Sequence, residues 1–139
     1  MSPELDLQRF VDAQAPVYRR VCDELRAGEK LSHWMWFIFP QLRGLGRSPM
    51  AQRFGLASPA EALAYHRHSR LGPRLEECSR LVLAIEGRTA LQIFGSPDDL
   101  KLRSCATLFA RVAPEVALFR DLVIRYFGGE WDPRTIERL

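Results

Sequence analysis

Two short stretches of this chain hold the residue types that chemistry needs. The first, Ser32-His33-Trp34-Met35-Trp36-Phe37-Ile38-Phe39-Pro40-Gln41, sets a histidine and a glutamine around two tryptophans. An imidazole titrates near neutral pH and can act as acid, base or donor, and indole rings can stack on a planar ligand. The second, Ser96-Pro97-Asp98-Asp99-Leu100-Lys101-Leu102-Arg103-Ser104, gathers carboxylates, cations and hydroxyls. Joined in space, His33, Asp98 and Asp99 would supply acid and base groups. Trp34, Trp36, Gln41, Lys101, Arg103 and Ser104 would line a pocket for a small polar ligand, nucleotide-like or a ribose phosphate, to be bound or hydrolysed. Adjacent aspartates on a helix point about 100° apart, so Asp98 and Asp99 cannot face each other as a glycosidase pair does. Any second carboxylate must come from elsewhere.

Each stretch also has a purely structural explanation. Ser96 followed three residues later by an acid resembles a capping box, Pro97 suits a first helical position, and both aspartates suit the positive end of a helix dipole. Asp98 with Lys101 and Asp99 with Arg103 have the spacing of helix-surface ion pairs, worth about 0.2–0.5 kcal/mol each. The aromatic run is what a buried core requires, although a buried imidazole would need a hydrogen-bond partner. Gly44-Leu45-Gly46 before Arg47 and Ser48 could cradle a phosphate, but it matches neither P-loop nor dinucleotide-binding spacing and reads better as a flexible turn. His66 and His68 are two apart, which splays them on a helix, so no metal pair is indicated. No motif calls for a cofactor. Whether any reaction accompanies binding is left open.

The elements that would position these groups are helices. Ser48-Pro49, Ser58-Pro59, Ser96-Pro97 and Asp132-Pro133 each read as an N-cap followed by a first helical residue. Gly28, Gly55, Gly87, Gly95 and Gly128 read as stops. Between them the apolar spacing is helical: Leu7, Phe10 and Val11; Val17, Val21, Cys22 and Leu25 after Pro16; Leu71, Leu75, Cys78, Leu81, Val82 and Ile85; then Val116, Phe119, Leu122, Val123, Tyr126 and Phe127. Trp34 to Phe39 resembles a buried strand, yet a strand needs partners and no hairpin signal occurs. With Ser32 as N-cap and Pro40 as terminator it becomes a short buried helix. The expectation is an all-α fold, a compact single-domain multihelical bundle over residues 1–139, with seven to nine helices, several of them short.

Composition agrees. A chain of 139 residues with 47% apolar content can bury one core without staples and is too hydrophobic to be disordered. Its longest apolar run is far shorter than the roughly 20 residues a membrane helix needs. The start, Met1-Ser2-Pro3-Glu4-Leu5-Asp6, lacks the basic and apolar regions of a signal peptide. Cys22, Cys78 and Cys105 are odd in number and widely spaced, which indicates neither a disulfide framework nor a zinc site. They read as packing residues, and a cytoplasmic setting fits. A net charge of +3 favours no partner. The alternative to a pocket is a protein or nucleic-acid interaction module built on Arg43, Arg47, Arg53, Arg67, Arg70, Arg74 and Arg80. Acids interleaved at Arg74-Leu75-Glu76-Glu77 argue against a continuous basic stripe, so nucleic acid is disfavoured.

The stretch from Ser32 to Gln41, continued by Leu42-Arg43-Gly44-Leu45-Gly46, resembles the family known as domain of unknown function 1810. So do Leu71-Gly72-Pro73-Arg74-Leu75 and Ile93-Phe94-Gly95 running into Ser96 to Ser104. Order and spacing agree from about residue 6 to residue 139. The resemblance implies a small, mostly α-helical, bacterial-type protein whose molecular activity is not established. Some members carry the label calpastatin, the name of a disordered protease inhibitor rich in charge and proline. This apolar sequence gives that label no support. Cys105-Ala106 departs from the serine or methionine expected there, which bears on packing rather than chemistry.

Overall fold

The computed structural model of the chain describes residues 7–139. The acidic start at residues 1–6, which carries the argument against a signal peptide, lies outside them. Among the described residues there are ten helices: α1 (Gln8–Gln14), α2 (Tyr18–Ala27), α3 (Met35–Ile38), α4 (Pro49–Phe54), α5 (Pro59–Arg67), α6 (Leu71–Leu83), α7 (Ala90–Phe94), α8 (Asp98–Val112), α9 (Ala117–Phe127) and α10 (Pro133–Glu137). That is an all-α fold with one helix more than the upper expectation. The only extended pairing among those residues is a parallel bridge between Leu42 and Leu56. Among the described residues no helix is long and apolar enough to cross a membrane.

Serine–proline and aspartate–proline starts work as their chemistry requires at three places. The side chains of Ser48, Ser58 and Asp132 accept from the backbone N–H of Ala51, Glu61 and Thr135, with proline in the first turn each time. Two other expected starts do not hold. Ser32 does not cap α3, which begins after Trp34; its N–H and hydroxyl are drawn instead to Glu24, a stronger, charged acceptor. Ser96 does not cap α8 either. Pro97 occupies the N-cap after a cis Ser96–Pro97 peptide, and the N–H of Asp99 is satisfied by the Gly95 carbonyl. The capping box belongs one helix earlier, where Thr89 and Gln92 exchange side-chain and backbone hydrogen bonds at the start of α7. Gly87 is not a stop, since α6 already ends at Leu83 with Ala84 as cap. Gly28 and Gly128 are, each in the left-handed conformation that glycine adopts without penalty.

Helix α8 is the central element, packed against α5, α7, α9 and α10, while α6 packs on α2, α5 and α9. Its residues from Ser104 to Ala110 are all buried. A file of rings runs through the centre: Phe10 stands edge-on to Tyr65 at 5.0 Å, Tyr65 meets Phe109 at 5.6 Å, and Phe109 meets Phe119 at 5.6 Å. A second cluster joins Trp34, Phe39 and Phe94. One apolar core therefore connects α1 through α9.

Candidate functional site

The two chemically suggestive stretches meet at the N-terminal end of α8. Asp98 accepts from Lys30 Nζ at 2.9 Å through one carboxylate oxygen and from Lys101 Nζ at 3.2 Å through the other. These are the only lysines in the chain. Each ammonium also lies over a tryptophan, Lys30 at 5.2 Å from the Trp34 ring and Lys101 at 4.9 Å from that of Trp36, where the ring quadrupole favours a cation. Lys30 is delivered there by a backbone bond from its N–H to the Ile93 carbonyl at 2.8 Å. Asp98 is thus a clamp between two elements that sequence alone leaves nearly 70 residues apart.

Trp34 is fully packed, 1% exposed, with its Nε1 donating to Glu24 Oε1 at 2.9 Å. The same carboxylate accepts from the N–H groups of Leu31 and Ser32 and from the Ser32 hydroxyl. Burial opposes ionisation of Glu24, but the hydrogen bonds from Ser32, Leu31 and Trp34 outweigh it and hold the group below the usual glutamate range. His33 stands beside this knot with its side chain in solvent.

A cleft of about 400 Å³ opens between the start of α8, the loop after Gln41 and the start of α10. Gln41 lines it together with Lys101, Arg103 and Ser104. Leu45, Pro97, Leu100 and Pro133 supply an apolar lining, and Asp132 and Arg134 complete the far wall. The bridge between Leu42 and Leu56 fixes the near wall, since Leu56 N–H donates to the Gln41 carbonyl at 2.9 Å and Arg43 N–H to that of Leu56 at 2.8 Å. The far wall is fixed by Arg103, which donates to the carbonyls of Glu130 and Trp131, each at 2.9 Å. Asp132 is held in place: its Oδ2 accepts from the N–H and hydroxyl of Thr135 and from Ser104 Oγ, and its N–H donates to Thr107 Oγ1. Trp36, Gln41 and Lys101 also line an adjoining cavity of about 10 Å³, room for a single water molecule. Trp36 Nε1 and Asp99 Oδ1 are buried with no hydrogen-bond partner among the described residues.

Of the residues singled out from sequence, Gln41, Lys101, Arg103 and Ser104 line one cleft, and Trp36 and Asp98 adjoin it through Lys101. Trp34 is a core residue, and His33 lines neither cavity that holds Gln41. Asp99 does not pair with Arg103, which turns to the Glu130–Trp131 backbone instead. Sequence reading missed Glu24, Lys30 and Arg134, and took Asp132 only as a cap. The scarcity of lysine was the available signal for Lys30. Of the arginines of the middle segment, Arg74 stacks on Tyr18 and donates to Gln14, and Arg80 pairs with Glu76. His66 also bonds Glu76, at 2.8 Å, while His68 Nδ1 accepts from the N–H groups of Arg70 and Leu71 at the start of α6.

Comparison with known proteins agrees with this architecture. No curated protein matches the chain. Among solved structures it is similar to the conserved hypothetical protein Rv1873 from Mycobacterium tuberculosis, with 58% sequence identity, a TM-score of 0.95 and 96% of each chain covered. Residues 4–139 match the family described as protein of unknown function, DUF1810. With nearly the whole length matched, the chain belongs to the DUF1810 family.

Proposed function

We propose that this protein binds a small anionic ligand, nucleotide-like or a ribose phosphate, in the cleft between Gln41, the start of α8 and the start of α10. The observation that supports the reading is the charge of that cleft. Three cations, Lys101, Arg103 and Arg134, line it against one carboxylate, Asp132, whose Oδ2 accepts from Thr135 and Ser104. Its volume of about 400 Å³ falls within the range of small-molecule sites, roughly 300–1,000 Å³. Leu45, Leu100 and the two prolines offer an apolar floor for the uncharged part of such a ligand, and Gln41 offers an amide for orientation. Binding rather than hydrolysis is the reading. Asp98 is paired with two lysines and His33 is exposed and does not line the cleft, so neither is poised as an acid or base there.

The test is a thermal-shift titration with AMP, ribose 5-phosphate and inorganic phosphate, on the unaltered chain and on Arg134→Ala and Lys101→Ala. A ligand at 100 times its Kd adds about 2.7 kcal/mol, an upward melting shift of several degrees. The expected result is a shift with a phosphate ester that both substitutions weaken at least tenfold in Kd. No shift with any probe at millimolar concentration, or one that survives both substitutions, would overturn the reading.

A further inference from the structure

Trp36 Nε1 is a buried donor with no hydrogen-bond partner among the described residues. A buried indole N–H normally has one, and a donor that the fold leaves unmet marks a place where the acceptor comes from outside the chain. The indole is a wall of the water-sized cavity, whose other polar lining is the Gln41 amide and the Lys101 ammonium; the rest, Phe39 and Phe54 included, is apolar. The Gln41 side chain likewise makes no hydrogen bond to a described residue.

This cavity and the cleft are neighbours. Gln41 and Lys101 line both. Gly46, a wall of the cleft, packs so closely on Ala51, a wall of the cavity, that a Cβ on it would stand 2.7 Å from Ala51 Cβ. What separates the two spaces is therefore a pair of long side chains and a single layer of packed atoms. The opposite side is backbone against backbone, since a Cβ on Gly55 would meet Arg43 Cα at 2.7 Å and the Ala51 carbonyl oxygen at 2.8 Å. The cavity cannot widen there, and its volume of about 10 Å³ takes one heavy atom.

The chemistry of that atom follows from its walls. Three donors, Trp36 Nε1, the Gln41 amide and Lys101 Nζ, line the cavity, and no carboxylate does. A carbonyl oxygen offers two lone pairs and carries no proton that would need an acceptor of its own. An amino group would meet the indole donor to donor and leave it unsatisfied, and a hydroxyl would have to place its proton on the Gln41 oxygen. A flat ring bearing the carbonyl would rest on Leu45, Leu100 and the two prolines, with its phosphate towards Arg134.

We propose that the ligand of the cleft is a nucleotide whose base carries a carbonyl oxygen, and that Trp36 selects it by donating its indole N–H to that oxygen in the inner cavity. The proposal rests on the cleft reading and narrows it from phosphate esters in general to oxo-bases. Trp36 is then a specificity-determining residue, and the water-sized cavity is the socket for one atom of the base.

The experiment is isothermal titration of the full chain with inosine monophosphate (IMP), AMP and ribose 5-phosphate, repeated on Trp36→Phe and Gln41→Leu. The two nucleotides differ at the purine edge, a carbonyl beside a ring N–H in IMP and an amino group beside a bare ring nitrogen in AMP. IMP is expected to bind at least tenfold more tightly than either other probe, because a site built around a hydrogen bond rejects the analogue that cannot make it. Trp36→Phe should weaken IMP about tenfold and leave AMP within twofold, and Gln41→Leu, which spares the indole, should reduce the preference for IMP. Equal affinity for IMP and AMP in the unaltered chain would overturn this proposal and leave the cleft reading standing. So would a Trp36→Phe loss shared by both nucleotides, since the oxygen that meets Trp36 would then belong to the phosphate or the sugar. Absence of binding by all three probes would overturn both readings.

Discussion

Lys30 Nζ lies 2.9 Å from Asp98 Oδ2, and this contact ties the α2–α3 connection to the start of α8. The lysine side chain is 8% exposed and the aspartate 19%, so water screens the pair only partly. Removing the carboxylate would leave two ammonium groups, Lys30 and Lys101, facing a neutral group and two tryptophan rings. Breaking a fully buried pair from one side costs about 3–5 kcal/mol, and the partial exposure here brings the expectation for Asp98→Asn to roughly 2 kcal/mol. For a chain of this size that is a fall on the order of 6–8 °C in melting temperature. Combining it with Lys30→Met should recover part of the loss, because the unpaired cation is then gone. If the double variant is instead less stable by the sum of both single effects, the two side chains are not energetically coupled.

Glu24 should make the protein acid-sensitive. Its folded-state pKa lies below the value of an unfolded glutamate, near 4.3, so the stability it contributes is complete above that pH. It is lost as pH falls through the folded value, because a protonated carboxyl cannot accept all the hydrogen bonds that Leu31, Ser32 and Trp34 direct at it. Urea unfolding between pH 7 and pH 3 should show this. Glu24→Gln should cost about 1–3 kcal/mol at pH 7, the worth of hydrogen bonds to a charged group, and its deficit should shrink as pH falls. A deficit that stays constant with pH would refute the linkage.

Gly72 is the position where a methyl group is least tolerable. A Cβ there would lie 2.0 Å from the His66 carbonyl oxygen, a contact with backbone that no side-chain rotation can relieve. The end of α5 and the start of α6 would have to separate, so Gly72→Ala should cost about 3 kcal/mol, the upper end of overpacking penalties. Gly87→Ala is the control: it has φ of +73° and open space around its Cβ, and should cost only about 1 kcal/mol from backbone strain. Comparable destabilisation of the two variants would place the cause elsewhere.

The helices were legible because their signals are local. Ser48, Ser58 and Asp132 cap with their own side chains, and the stripe on α6 repeats at helical spacing, so each is decided within a few residues. Ser32 and Ser96 carry the same signal and do not cap, because each has a competitor that sequence spacing cannot reveal. For Ser32 it is the Glu24 carboxylate, and for the first turn of α8 it is the Gly95 carbonyl. The candidate site was half legible for the same reason. Lys101, Arg103 and Ser104 share a helix and could be grouped by spacing, whereas Lys30, Asp132 and Arg134 reach the same end of α8 only through tertiary packing.

The two tryptophans of α3 and its cap should respond unequally to the same substitution. Trp34 Nε1 donates to Glu24, so Trp34→Phe removes one donor from a buried carboxylate and leaves a cavity where the larger ring was. A hydrogen bond to a charged group is worth about 1.5–3 kcal/mol, and the packing loss adds to it, so a cost of at least about 2 kcal/mol is expected. Trp36 Nε1 is buried without a partner among the described residues, so Trp36→Phe removes an unsatisfied donor. Lys101 keeps an aromatic face to rest on. The change should therefore fall within about 0.5 kcal/mol of the unaltered chain, because the relief of an unmet donor offsets the lost ring area. Chemical denaturation of both variants separates these outcomes, and a Trp36→Phe variant as unstable as Trp34→Phe would mean that the Trp36 indole nitrogen is bonded in solution.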